Sequence, residues 1–173
     1  MKNKITLLFS LLIMSLVLVS ACNKDATISE TLLSEDEKKA EKNKIQEVLK
    51  LYNKAANEKN WSKMVATLAS DVHFFGTDSG EVSANMDAFK TKMQTQWNEY
   101  DSIVYGEIHD LYIELDDYAR YANAIFGCPF TIVKKGAVPE NLYVVCQRTL
   151  QKDPSTQSWT IKSGILAVSR VER

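Results

Sequence analysis

Glycine, proline and histidine are all scarce in this chain, at six, three and two of 173 residues. The six glycines form no G-x-G-x-x-G or G-x-x-x-x-G-K pattern, which excludes a glycine-rich phosphate loop, and no serine-nucleophile motif is present. His73 and His109 have no His, Cys or carboxylate partner at metal-ligand spacing, and no cysteine cluster occurs, so neither a metal site nor a cofactor is expected. Basic residues form no block and the net charge is −1, which removes nucleic acid from the expected partners. There is also no internal repeat, low-complexity segment or second domain.

What is present begins with an address. Lys2 and Lys4 precede a long apolar run, Ile5 to Val19, which ends in small residues. That is the pattern of a secretory signal peptide over 1–21, too short and wrongly flanked for a stable membrane span. Its end, "VSAC" (Val19 to Cys22), resembles the bacterial lipobox. The resemblance implies that Cys22 is diacylated and becomes the first mature residue, with 22–33 as lipidated Cys and tether. Several acyl chains make a lasting anchor where one is marginal. The expected location is the bacterial cell envelope, lipid-anchored and facing the periplasm or the outer membrane. Loss of 1–21 removes two lysines and no acid, leaving a net charge of −3.

With Cys22 acylated, Cys128 and Cys146 remain. The turn signal between them, "VKKGAVPEN", centres near Ala137, equidistant from both. Strands paired in that register would place the cysteines face to face, compatible with a cross-strand disulfide. The other reading is two small buried thiols, since Pro129 disturbs the ladder beside Cys128.

The mature domain, 34–173, opens on a capping-box pattern at Ser34-Glu35-Asp36-Glu37. Ile45, Val48, Leu49, Tyr52 and Ala56 then recur at helical spacing, to an end near Glu58–Asn60. A shorter helix carries Trp61, Val65 and Leu68, and "DVHFF" reads as a short strand closed by the turn "GTDSG". A third helix starts near Ser83 or Asn85 with Met86, Phe89, Met93 and Trp97 on one stripe. Four long strand patterns follow: "SIVYGEIHDLYIEL", "YARYANAIFGCPFTIV", "LYVVCQRTLQK" and "WTIKSGILAVSRV". Three helices with one short strand, then an antiparallel meander, give an α+β domain with helices on one face of a curled sheet.

Residues 41–171 resemble the SnoaL-like branch of the nuclear transport factor 2-like superfamily. The resemblance lies in "VLKLYNKAANEKNWSKMVATLASDVHFFGTDSGE", in Arg148-Thr149-Leu150 and in the closing Trp159-x-Ile161. It implies a cone-shaped, cystatin-like fold whose curved antiparallel sheet wraps N-terminal helices and leaves an apolar pocket open at one end. Tyr52 would project into that pocket, with Phe74, Phe89, Trp97, Phe126 and Phe130 as wall residues. The fold hosts isomerases, cyclases, dehydratases and plain binding domains, so it does not by itself fix a function.

Steroid isomerases of this superfamily use a carboxylate base together with a Tyr and a protonated Asp at the oxyanion. Counting from Tyr52, the base position falls on Gly76 and the oxyanion acid at or near Cys146, neither a carboxyl group. Tyr52 alone survives, and a phenol orients a ligand oxygen without abstracting a proton near neutral pH. Asp78, two residues beyond Gly76, is expected to cap its own turn with Thr77, so the loop builds the rim. His73 is the other candidate acid or base, while His109 and Asp110 are neighbours on a strand and point to opposite faces. Arg148 either bridges to Glu107 or Glu114 or holds an anionic ligand group. These readings favour a lipid-anchored domain that binds a small apolar or amphipathic molecule through Tyr52, Phe74, Trp97, Phe126 and Arg148. One alternative is an isomerase- or cyclase-like enzyme using His73 or Asp78 with Tyr52. A second is an interaction domain that forms a homodimer through its open sheet face.

Overall fold

The computed structural model describes residues 32–76 and 81–169. The expected signal sequence (1–21), Cys22, most of the expected tether, Thr77 and Asp78 lie outside the described residues. Helix α1 spans Glu35–Asn57 and starts as the capping box requires: the Ser34 hydroxyl accepts from the Glu37 N–H, and the Ser34 N–H donates to the Glu37 carboxylate at 2.8 Å. Its apolar stripe, Ile45, Leu49, Tyr52 and Ala56, is buried. Each large aliphatic side chain placed there stabilises the fold by about 1.5–3 kcal/mol relative to exposure. Helix α2 is short, Trp61–Val65, capped by Asn60, and α3 spans Met86–Glu99, capped by Asn85. Leu68 opens the first strand and does not extend the second helix.

Seven strands form one sheet among the described residues: β1 (Leu68–Phe75), β2 (Val82–Ser83), β3 (Tyr100–Tyr105), β4 (His109–Leu115), β5 (Tyr121–Lys134), β6 (Glu140–Lys152) and β7 (Trp159–Ser169). The order is β2-β1-β7-β6-β5-β3, with β4 also paired to β5. The expected curved antiparallel sheet is present with one addition. β1 pairs in parallel with β7, so the sheet is mixed at that edge.

The first expected long strand is two strands. Pro129 on β5 has no N–H to offer its neighbour, and the chain turns at Gly106, whose N–H donates to the Pro129 carbonyl at 2.8 Å. Asn57, the last residue of α1, takes over the unpaired backbone. Its amide donates to the Tyr105 carbonyl at 2.9 Å and accepts the Tyr105 N–H at 2.7 Å. The edge therefore splits: β3 pairs with Phe130–Lys134 and β4 with Ala122–Gly127. That break sets the sheet's curl and fixes where α1 ends.

The hairpin β5–β6 pairs Phe126 with Cys146 and Cys128 with Val144. Its register centres on Gly136, one residue before the expected centre, and Gly136 has φ 74°, a left-handed turn that suits glycine. The cysteines are consequently diagonal rather than opposite, and both are free, buried thiols. Diagonal neighbours lie about 7–8 Å apart at Cα, beyond the comfortable reach of a disulfide.

Candidate functional site

The helices and the concave sheet face enclose a cavity of about 260 Å³. Its walls are Phe74 from β1, Phe89 and Met93 from α3, Ile103 and Tyr105 from β3, and Phe130 from β5. Phe74 organises one side. Its ring stacks on Phe89 at 4.3 Å between centroids and on Tyr52 at 6.1 Å. Tyr105 packs on Phe130 at 4.7 Å.

Two polar groups mark the floor. Tyr52 is 4% exposed and projects from α1. Burial pushes its phenol up to about 12 even though Arg148 pulls the other way, so Tyr52 is a hydrogen-bond donor across the neutral range. Arg148 is 2% exposed on the concave face of β6. One guanidinium nitrogen donates to the carbonyls of Gln147 and Ile165 at 2.8 and 2.9 Å, while Nε has no partner. Cζ lies 5.5 Å from the Tyr52 ring and 5.3 Å from the Phe74 ring, within cation–π range of both. A side chain at residue 164 would collide with Phe74 and Arg148, so the strand beside them passes as glycine.

Arg148 has no acidic partner among the described residues. The expected bridge to Glu107 or Glu114 is absent: both carboxylates are exposed, and Arg148 is directed to the concave side. A thiol also stands beside it. Cys146, two residues earlier on the same face, accepts a hydrogen bond from Cys128; burial opposes ionisation, but Arg148 adds its attraction, and the Cys146 thiol is lowered to about 7. Cys128, the donor of that bond, is pushed up.

The remaining expected site residues separate. Gly76 lines the rim of the cavity and offers no side chain. His73 shares the convex face of β1 with Phe75, in edge contact at 6.1 Å, because strand alternation turns it away from Phe74. Trp97 and Phe126 are buried but do not line the cavity. On α3 the positions facing the hollow are Phe89, Lys92, Met93 and Gln96, while Phe126 packs against Cys146 deeper in the core. The lining residues that were not read from the sequence include Tyr105, Glu81 and Lys92. Tyr105 had a signal in the glycine that follows it. Burial raises its phenol as it does that of Tyr52. Glu81 and Lys92 had none, since a lone acid after a turn and a lysine on a helix read as solvated charges.

Solved structures share this fold at low identity. A hexachlorocyclohexane dehydrochlorinase from Novosphingobium barchaimii superposes with a TM-score of 0.68 at 10% identity, over 79% of this chain and 91% of that one. A ketosteroid isomerase-like protein from Erwinia carotovora atroseptica gives 0.62 at 17%, over 73% and 95%. A protein of unknown function with a cystatin-like fold, from Nostoc punctiforme, gives 0.61 at 13%, over 80% and 96%. A search of curated proteins found no match. The family model described as "SnoaL-like domain" matches residues 45–133, more than half of the chain, from the middle of α1 to the end of β5. With its helix-filled, curled sheet and aromatic cavity, the chain belongs to the SnoaL-like domain family.

Proposed function

We propose that this protein captures a small amphipathic molecule, holding a negatively charged oxygen group on Arg148 and Tyr52 and an apolar body against Phe74, Phe89 and Met93. One observation carries the reading: Arg148 lines an apolar cavity, almost wholly buried, with no carboxylate to balance it. A buried charge left uncompensated costs several kcal/mol, and a ligand anion offsets that cost on binding. Tyr52, held in its protonated form, donates a second hydrogen bond. Capture without turnover is favoured because residue 76 carries no proton acceptor and His73 faces away from the cavity. Titration calorimetry with 2-naphthoate tests this. The wild type binds, and Arg148→Met weakens binding by about a hundredfold, the usual cost of removing one side of a buried charge pair. Equal affinity in the two proteins would sink the reading.

The domain is further proposed to sit in the bacterial envelope on acyl chains attached to Cys22, which rests on the N-terminal sequence pattern. Wild-type protein should fractionate with membranes and Cys22→Ser should not. A second reading adds a homodimer to the capture role. Ile125, Gln147, Ile165, Phe75 and Val82 lie in register across five strands on the convex face, and the four apolar members are 41–54% exposed. Such a row is a candidate self-association surface. Sedimentation that shows a dimer in the wild type and a monomer in Ile165→Lys supports it, whereas a wild-type monomer removes it.

A further inference from the structure

The mouth of the cone is built around a position where only glycine fits. Gly76 follows β1, and its N–H donates to the Glu81 carbonyl at 2.7 Å, which closes the turn. A methyl group on residue 76 would overlap the Glu81 carboxylate and the Lys92 ammonium. Those two groups form an ion pair at 3.3 Å and are 32% and 26% exposed. The space of a missing side chain is thus occupied by one negative and one positive group, from the approach to β2 and from α3. Both line the same cavity as Arg148. A groove of about 300 Å³ continues outward from them past Thr95, Gln96 and Glu99.

An ion pair this exposed adds at most about 1 kcal/mol to stability, so its contribution to folding does not explain its place at the rim. Its position relative to Arg148 is informative. Phe74, whose ring lies 5.3 Å from the guanidinium, is on β1, and Gly76, beside which the pair lies, follows the end of that strand. Arg148 is 2% exposed and the Glu81 and Lys92 side chains are 32% and 26% exposed along the same cavity, so the cation stands at its floor and the ion pair at its mouth, with the aromatic wall between. Within the pair an acceptor and a donor stand side by side. A ligand hydroxyl can donate to Glu81 and accept from Lys92 in the same place. A second carboxylate would be repelled by Glu81, and a second ammonium by Lys92.

We propose that Glu81 and Lys92 are specificity determinants that read the far end of the ligand, so that the preferred ligand class is an amphipathic acid bearing a hydroxyl at the end opposite its carboxylate. The inference rests on the capture reading and adds the identity of the second end. Calorimetry on the full chain with three probes separates the two: 2-naphthoate, 6-hydroxy-2-naphthoate and 2,6-naphthalenedicarboxylate. The hydroxy acid should bind about tenfold tighter than 2-naphthoate, the worth of one hydrogen bond to a charged group, and the diacid should gain nothing. Glu81→Ala and, independently, Gly76→Ala should erase the hydroxyl advantage, read in each protein as the ratio of its affinities for the hydroxy acid and for 2-naphthoate. Binding of 2-naphthoate with no hydroxyl advantage in the wild type, or an advantage that survives both substitutions, overturns this inference and leaves capture standing. Failure of all three probes to bind overturns both.

Discussion

Glu41 on α1 and Arg148 on β6 are the two charged side chains that are buried among the described residues, at 8% and 2% exposure, and the fold treats them oppositely. Around Glu41 every charge is answered. Its carboxylate accepts from the Trp159 indole and from Lys44, both at 2.7 Å, and pairs with Lys152 at 3.0 Å, so one acid joins α1 to β6 and β7. Around Arg148 the polar partners are two backbone carbonyls, a phenol ring and a thiol. The chain can satisfy a buried charge where satisfaction serves folding. That it does not do so at the floor of an open cavity is the difference on which the proposed capture of an anion rests.

The contrast breaks if substitutions at the two sites act alike on stability. Glu41→Leu strands the Lys152 ammonium and the Trp159 N–H, and should cost about 3–5 kcal/mol in urea denaturation, as the loss of one partner of a buried pair does. Arg148→Met replaces an uncompensated cation with an apolar chain of similar reach, and should be neutral or stabilising by about 1–3 kcal/mol. Stability would thus move in opposite directions while ligand affinity is lost at the second site. A destabilised Arg148→Met, comparable to Glu41→Leu, would make Arg148 a structural residue.

Acid sharpens the first half of the comparison at a smaller scale. Burial alone would raise the Glu41 carboxyl, but hydrogen bonds from Lys44, Trp159 and Lys152 outweigh it and hold the group below the usual carboxylate range. A group with a lowered folded pKa contributes stability that is fully present above its unfolded pKa of about 4.3 and is lost as pH falls through the folded value. The urea midpoint should therefore be level from neutral pH to about 5.5 and decline below about 4.5. Glu41→Gln should start lower and decline less over the same interval. Parallel declines in the two proteins would place the acid sensitivity in other carboxylates such as the exposed Asp71 and the half-buried Asp116, which are also lowered, by Lys162 and by the backbone at 120–121.

The outline of this architecture could be read from the residues, because it depends on short-range patterns. The Ser34 capping box, the stripe through Tyr52 and the alternating strands each declare themselves within a dozen positions. What could not be read depends on long-range registration. The parallel β1–β7 pair joins residues some ninety positions apart, and the break at Gly106 arises because Pro129, on another strand, cannot donate. The hairpin centre differed from expectation by one residue, which moved each cysteine's partner by two and removed the bridge. The site shows the same division. Tyr52 and Phe74 were legible from helix spacing and a strand motif. Arg148 was legible as a choice between two partners, and its environment decided against the carboxylates. Glu81 and Lys92 were invisible, because their meaning comes from an empty Cβ position at Gly76 that only folding brings between them.

The smallest expected effect tests whether Arg148 is as uncompensated as this comparison requires. Its ionisable neighbours are the Tyr52 phenol and the Cys146 thiol, the latter lowered to about 7 by the hydrogen bond from Cys128 and by Arg148 itself, against the opposition of burial. Below that value the thiol is neutral and the guanidinium is available to a ligand anion. Above it a thiolate competes for the same cation, while Tyr52, raised to about 12, stays protonated and contributes no pH dependence. Affinity for 2-naphthoate should then fall by about fivefold between pH 6 and pH 8.5, a change near 1 kcal/mol. In Cys146→Ala the affinity should be level across that interval and equal to the wild type's acidic limit. A wild-type affinity that does not change with pH would mean that the thiol stays neutral beside Arg148, and the cation would then be even more open to an outside anion than its neighbours suggest.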